Sequence, residues 1–226
     1  MAVITISREY GSSGNEIARR ICDRLGYRYF DKNLMAQLGA ELGLDSAKIA
    51  DVPQDKQYHA RSLLERLLTT TPLPSISGDI DWSWAARSQA EEHTVRMSAQ
   101  TVERLLRAAH EQDNVVIVGR AGQVVLHDLP NVIHLRVVAP IEQRIERIQQ
   151  IAALRANAAR ELVHRRDQAA GDYIKSFYTV DWTDPLLYTV VINTNKLTPP
   201  LAVDLIVKAL ECLPEPARPE LPSVTA

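Results

Sequence analysis

A strand, a glycine-containing turn and a helix open the chain, and this order constrains the fold more than any other feature. Residues 2–7 are a short, β-branched apolar run, which is typical of a buried strand. The turn at 10–14 contains two glycines, and apolar residues then recur at helical spacing until Gly26 ends the helix. Ligands of parallel α/β sheets bind beyond the carboxyl ends of the strands, so the turn is expected at a ligand-binding edge.

Apolar runs and helical patterns alternate along the rest of the 226-residue chain. The further predicted strands are 27–30, 115–119, 132–138 and 188–193, and the further predicted helices are 32–44, 57–68, 86–111, a helix opening at Pro140, 156–169 and 200–210. Runs that are apolar throughout suit strands covered by helices on both faces. The alternation predicts an α/β fold with a parallel sheet in a single domain over residues 1–213, followed by a disordered, proline-rich tail at 214–226.

Composition narrows the class of protein. The formal net charge of −2 argues against nucleic acid as the main partner, since such proteins usually carry a positive excess. No apolar run reaches the roughly 18 residues of a membrane span, and the first residues lack the pattern of a signal peptide. The two cysteines, Cys22 and Cys212, have no CxxC partner, so we expect unpaired thiols in a cytoplasmic protein. No Cys/His cluster predicts a metal site.

The glycine turn predicts a phosphate site. Backbone N–H groups in such a turn, together with the positive end of the following helix, bind phosphate, although the glycines could serve only the geometry of an ordinary connection. The candidate phosphate-binding residues are Gly11, Ser12, Ser13, Gly14 and Asn15. The strict pattern GxxxxGK[ST] is absent, because Gly14 or Asn15 stands where the lysine would be. Arg8 is the nearest cation and would contact phosphate or lie in solvent.

Four further candidate site residues follow predicted strands or lie on a basic helix. Arg120 comes directly after an apolar strand, where its guanidinium would bind a phosphate or base carbonyl, or pair with a carboxylate. Asp31 would hold a ligand hydroxyl or base, or cap the next helix. Arg165 and Arg166 lie in the arginine-rich segment 155–175, which would close over a nucleotide or present a solvated face. His134, within an apolar strand, is predicted to be a core residue.

Several motifs occur in an order that resembles the cytidylate-kinase-like family. They are ITISREYGSSG at 4–14, YFDK at 29–32, VIVGRAG at 116–122, RVVAP at 136–140, Asp167, YIK at 173–175, FY at 177–178, VDW at 180–182, DP at 184–185, LY at 187–188 and VINT at 191–194. The resemblance extends over residues 2 to 210, nearly the whole chain. Each motif is short, and their common order makes the resemblance specific.

The resemblance implies a P-loop kinase fold with a five-stranded parallel sheet, a helical acceptor-side region over about 32–113 and a lid over about 150–180. It implies transfer of the γ-phosphoryl group of ATP to a nucleoside monophosphate, CMP or dCMP, with Mg²⁺ carried by ATP. On the matching positions, residues 8 and 11–14 would hold the donor phosphates. Asp31 and Arg120 would face the acceptor, and Arg165 and Arg166 would belong to the lid.

The chain also departs from the family pattern. The family loop usually reads GSGGRE, whereas residues 11–16 read GSSGNE, and Gln168, Ala170 and Asp172 stand where the family tends to carry arginines. Losing one charge-stabilising group can cost about a hundredfold in rate. A catalytically weak or inactive nucleotide-binding relative is therefore the alternative, and a binding protein that uses the Trp-containing insert 72–84 is a third. That insert and the 57–68 helix could form a homodimer interface or cover the core.

Overall fold

The computed structural model describes residues 2–30, 32–44 and 89–212. Four predictions lie outside the described residues: the helix at 57–68, the insert at 72–84, the tail at 214–226 and the role of Asp31.

Strands and helices alternate through the described ranges. The strands are β1 Val3–Arg8, β2 Arg28–Tyr29, β3 Val115–Val118, β4 Val132–Val138 and β5 Val190–Asn193. The helices are α1 Gly14–Leu25, α2 Lys32–Glu41, α3 Gln89–Glu111, α4 Gly122–Val125, α5 Ile141–Ala152, α6 Ala156–Tyr178 and α7 Pro199–Glu211, with a 3₁₀ turn at Pro185–Leu187. The strands form one parallel sheet of five in the order β2-β3-β1-β4-β5. The predicted α/β fold and five-stranded parallel sheet are confirmed.

The central strand β1 separates two apolar layers. Successive side chains of a strand point to opposite faces, so Val3 packs with α2 and α3 while Ile4 and Ile6 pack with α1 and α7. Both layers are fully buried at the sheet, which explains why the strand sequences are apolar throughout. This arrangement places the carboxyl ends of β1, β3 and β4 side by side at one edge.

Helix α6 differs from its prediction. We expected a helix over 156–169, but it continues to Tyr178 and ends at Thr179, which adopts a left-handed conformation with φ 58°. The buried residues Ala159, Val163 and Ile174 pack the helix against the rest of the protein. The polar stretch 164–172 separates Val163 from Ile174 and interrupts the apolar pattern in the sequence. Helix α6 is therefore a single rod of 23 residues that reaches along the ligand-binding edge.

The core histidine is confirmed. His134 is buried in β4, and its Nδ1 lies 2.7 Å from the Thr5 hydroxyl on the neighbouring strand. Burial, together with the nearby His127, lowers its pKa to about 4, so the ring is neutral at physiological pH. Within the described ranges, no helix is both long and apolar enough to cross a bilayer.

Candidate active site

The segment 9–13 between β1 and α1, called the phosphate loop below, has a conformation that depends on glycine. Gly11 has φ 83°, and a Cβ there would lie 2.9 Å from the carbonyl oxygen of Arg144. Ser13 precedes α1 in a left-handed conformation and makes no side-chain hydrogen bond to the helix. The first N–H groups of a helix have no partner within it, so those of α1 are not capped by this side chain and can bind an anion.

Side chains from outside the loop hold its carbonyl groups. The carbonyl oxygens of residues 10–12 accept hydrogen bonds from Arg144 Nη1 (3.2 Å), Arg147 Nη1 (2.6 Å) and Thr194 Oγ1 (3.0 Å), in that order. A carbonyl oxygen repels an anion, and here each of the three is occupied by a donor. Sequence reasoning missed the role of Arg147, because no local pattern shows that α5 packs on the loop.

Arg8 passes between two glycines at the sheet edge. A Cβ on Gly14 would lie 2.6 Å from the Arg8 Cβ, and one on Gly119 would lie 2.7 Å from its Nη1. Its Nε donates a 3.0 Å hydrogen bond to the Asn15 side chain. Burial lowers the pKa of Arg8 to about 10, partly opposed by Tyr29 and aided by the Arg120 charge, so the guanidinium stays charged at neutral pH. The alternative that Arg8 lies in solvent is excluded.

Arg120 stands at the end of β3, next to β1. Its backbone is left-handed, with φ 59°, and its guanidinium lies 5.7 Å from the centre of the Phe30 ring. Burial lowers its pKa, while Tyr173 of α6 and Tyr29 of β2 act in the opposite direction. The structure thus brings Arg8 and Arg120 together at adjacent strand ends, a neighbourhood that follows from the pairing of β1 with β3 and was not predicted from the sequence.

The two candidate arginines of helix α6 differ in burial and in their contacts. The half-buried Arg166 has its guanidinium 5.9 Å from the Tyr10 ring of the phosphate loop, whereas the Arg165 side chain is exposed. The next residue, Asp167, accepts a 2.7 Å hydrogen bond from the Tyr10 N–H and lies 2.5 Å from Arg144 Nη1. Of the predicted lid region, Arg166 and Asp167 are thus residues that contact the phosphate loop, while the lid itself stays a prediction.

A cavity opens beside the phosphate loop. Its volume is about 1020 Å³, at the upper limit of the range for small-molecule sites. The wall is formed by residues 8–16 with Arg19, Arg20 and Asp23 of α1, and by Arg147, Ile148, Ile151 and Ala152 of α5. Ile151, which is 72% exposed, belongs to the α5 side of this cavity. The cavity combines backbone N–H groups, cationic side chains and an apolar surface, which together match the chemistry of a nucleotide.

The carboxylates nearest the loop are already engaged. Glu9 accepts a hydrogen bond from the Ala139 N–H and pairs with Arg144 at 3.4 Å, and Asp167 pairs with the same arginine. In the part of the chain that the structure describes, no group of three or more His, Cys, Asp or Glu residues could hold a metal ion.

Known proteins resemble this chain over most of its length at low sequence identity. The chain is 24% identical over 222 residues to the cytidylate kinase of Methanopyrus kandleri, covering 94% of this chain and 95% of that protein. It is 26% identical over 193 residues to a Corynebacterium glutamicum protein named uronate isomerase, covering 80% of this chain but only 36% of that protein. A crystal structure of an uncharacterized Eubacterium ventriosum protein superposes with a TM-score of 0.62 at 16% identity, covering 94% and 99% of the two chains.

Residues 3–196 match the model of the cytidylate kinase-like family. The match spans all five strands, the phosphate loop and helix α6. The parallel sheet of five strands is the one that the resemblance implied. The chain belongs to the cytidylate kinase-like family.

Proposed function

We propose that this protein transfers the γ-phosphoryl group of ATP to a nucleoside monophosphate of the CMP or dCMP type. The observation that carries the proposal is the placement of Arg8 and Arg120 at adjacent strand ends, beside a loop with uncapped helix N–H groups. Family membership supports nucleotide phosphotransfer in general. The choice of a cytidine acceptor rests on the resemblance and on the cytidylate kinase relative.

The donor side of the site consists of the phosphate loop and α1. Here the N–H groups at the start of α1 would bind the phosphates of ATP, with Gly11, Ser12, Ser13, Gly14 and Asn15 forming the cradle. Arg8 would supply the positive charge that a loop lysine supplies elsewhere, since its side chain passes beside Gly14 and its guanidinium, which lies against Gly119, stays charged. Mg²⁺ would enter with ATP and neutralise phosphate charge, because Glu9 and Asp167 are engaged with Arg144.

The acceptor side would be built around Arg120. Its guanidinium is placed by Phe30 and faces α6, so it would bind the acceptor phosphate between the sheet edge and this helix. Asp31 stays a prediction for contact with the acceptor. Arg165 and Arg166 would neutralise charge on the transferred group as the lid closes, and the geometry favours Arg166. Phosphoryl transfer needs positioning and charge stabilisation, and these residues provide both.

A catalytically weak or inactive nucleotide-binding relative is the second candidate. One observation favours it: the Asn15 side chain accepts a hydrogen bond from Arg8 instead of adding a charge to the loop. Two exposed residues of α6, Gln168 and Asp172, also stand where arginines would add charge. In this case the cavity would bind nucleotide for sensing or partner binding.

The testing experiment measures ADP formation from ATP and Mg²⁺ with a panel of nucleoside monophosphates. We expect turnover with a cytidine nucleotide, and a loss of about a hundredfold or more in Arg120→Ala. The matched control is Arg107→Ala, which removes an exposed arginine paired with Glu103 on α3. Equal activity of Arg120→Ala and the control would contradict the assigned role of Arg120.

Thermal shift separates the candidates if no acceptor is turned over. ATP at about a hundred times its dissociation constant should stabilise a nucleotide-binding protein by about 2.7 kcal/mol. Stabilisation without turnover would favour the second candidate. No shift with any nucleotide would contradict both and leave the partner-binding hypothesis for the 72–84 insert.

A further inference from the structure

The residues just before Gly11 are clamped from two helices at once. Asp167 of α6 binds the Tyr10 N–H through one carboxylate oxygen at 2.7 Å and Arg144 through the other at 2.5 Å. Arg144 of α5 donates in turn to the Tyr10 carbonyl oxygen at 3.2 Å and to that of Ala139 at 2.9 Å. Both polar groups of the Tyr10 backbone are therefore bound to one arginine–carboxylate pair.

This pair is largely removed from water. The Arg144 side chain is 8% exposed and that of Asp167 is 21% exposed. A charged hydrogen bond in such surroundings is stronger than one at the surface, and breaking it leaves the other charge partly buried. Arg144 also pairs with Glu9 at 3.4 Å. The pair of Arg144 and Asp167, called the clamp below, therefore contacts two consecutive loop residues.

The clamp controls which backbone groups the phosphate loop presents. It occupies the Tyr10 N–H with a carboxylate and the Tyr10 carbonyl with an arginine. Asp167 thereby fixes the Glu9–Tyr10 peptide through its N–H, and Arg144 fixes the Tyr10–Gly11 peptide through its carbonyl oxygen. A Cβ on Gly11 would also lie 2.9 Å from the backbone carbonyl oxygen of Arg144. Rotation of either peptide would turn a carbonyl oxygen toward the site and repel an anion.

We propose that Asp167, acting through Arg144 and the Tyr10 backbone, is a positioning residue that holds the phosphate loop in its anion-binding conformation. The inference deepens the proposed function and rests on it, since it assigns a role in binding the donor triphosphate. Asp167 does not touch the phosphates in this role. Because Asp167 lies on α6 beside Arg166, the conformation of the loop also depends on the position of α6, which would form part of the lid.

The test compares Asp167→Ala and Asp167→Asn with Glu161→Ala, which removes an exposed carboxylate from the same helix. Calorimetry with tripolyphosphate measures the loop without the base or the acceptor. We expect affinity to fall by about tenfold or more in Asp167→Ala, by less in Asp167→Asn, which keeps one acceptor oxygen, and not in Glu161→Ala. In steady-state assays, KM for ATP should rise while KM for the acceptor stays unchanged.

Amide hydrogen exchange gives a readout that needs no activity. The Tyr10 amide should exchange about tenfold faster or more in Asp167→Ala, while the amides of β1 stay protected and report an intact fold. Wild-type affinity for tripolyphosphate and wild-type exchange at Tyr10 in Asp167→Ala would overturn the inference. A wild-type protein that binds tripolyphosphate but phosphorylates no acceptor would contradict the proposed function alone, and the affinities of the variants would still decide the role of Asp167.

Discussion

The side chain of Arg8 lies against the backbone of Gly14, so close that a Cβ on residue 14 would come within 2.6 Å of the Arg8 Cβ and 2.8 Å of its Cγ. Gly14 is also the first residue of α1, where N–H groups are available to an anion. The absence of a side chain at position 14 thus lets the aliphatic part of the Arg8 side chain lie directly against the N-terminus of α1.

Gly14→Ala should displace Arg8 and lower kcat/KM by about a hundredfold under the proposed function, because charge at the donor phosphates would be misplaced. Stability should also fall, since the clash is with the Arg8 Cβ and Cγ, close to the backbone, and the helix preference of alanine, up to about 1 kcal/mol, offsets only part of the steric cost. ADP formation and chemical denaturation of the variant would measure the two effects. Wild-type activity would show that Arg8 does not serve the donor site.

Gly119→Ala and Gly26→Ala form a matched pair. Both glycines are left-handed, with φ 73° and 69°, so alanine should cost each variant about 1–2 kcal/mol. A Cβ on Gly26 meets no atom within 4 Å, whereas one on Gly119 would lie 2.7 Å from Arg8 Nη1. We therefore expect similar losses of stability but a loss of activity in Gly119→Ala alone. Equal activities would contradict a catalytic role for the position of Arg8.

Arg136→Leu should destabilise the fold by about 3 kcal/mol. The buried guanidinium lies 4.4 Å from the Trp182 ring centre, donates to the Trp182 carbonyl oxygen at 2.8 Å and to the Tyr188 hydroxyl at 3.4 Å. Leucine would lose the contact with the Trp182 ring, both hydrogen bonds and the 3.9 Å ion pair with Glu9, while the Trp182 carbonyl oxygen would keep only the Tyr188 hydroxyl as donor. Urea denaturation measures the loss, with Arg107→Ala as the exposed control, for which a change under about 0.5 kcal/mol is expected.

Stability should fall as the pH drops from about 6.5 to 4. The unfolded chain binds a proton at His134 near pH 6.5, but the folded chain binds it only near pH 4, so protonation in this window favours unfolding. The contribution is complete above pH 6.5 and lost progressively below it, by on the order of 2 kcal/mol. His134→Asn should remove this part of the pH dependence in urea titrations. An unchanged pH profile in the variant would contradict the assignment.

The two thiols should react at different rates. Cys212 is exposed, whereas Cys22 is half-buried, and burial with the neighbouring Asp23 raises the Cys22 pKa to about 11. Only the thiolate reacts, so at pH 8 the native protein should show one fast thiol toward a disulfide reagent and a second that reacts far more slowly. Cys212→Ser should abolish the fast phase. Two equally fast thiols would contradict this assignment.

Much of the sheet and the order of its parts could be predicted from local patterns. The apolar runs at β1, β3 and β4 match their predicted positions within a residue, because strands buried on both faces need continuous apolar sequence. The end of α6 could not be predicted, because its polar middle interrupts the helical pattern while tertiary packing at Ile174 maintains the helix. The short helix α4 was also missed, since four residues carry too little periodicity.

The sequence by itself determined the glycine turn after β1, the position of Arg120 after β3 and the presence of basic residues in α6. These follow from local rules, since a turn needs glycine and a residue after a strand lies at the sheet edge. Only the tertiary structure decided that Arg8 passes between Gly14 and Gly119, that Arg166 and not Arg165 meets the loop, and that Arg144 and Asp167 clamp Tyr10. The physical reason is that these contacts join residues far apart in the chain, and their geometry is set by how α5 and α6 pack on the sheet.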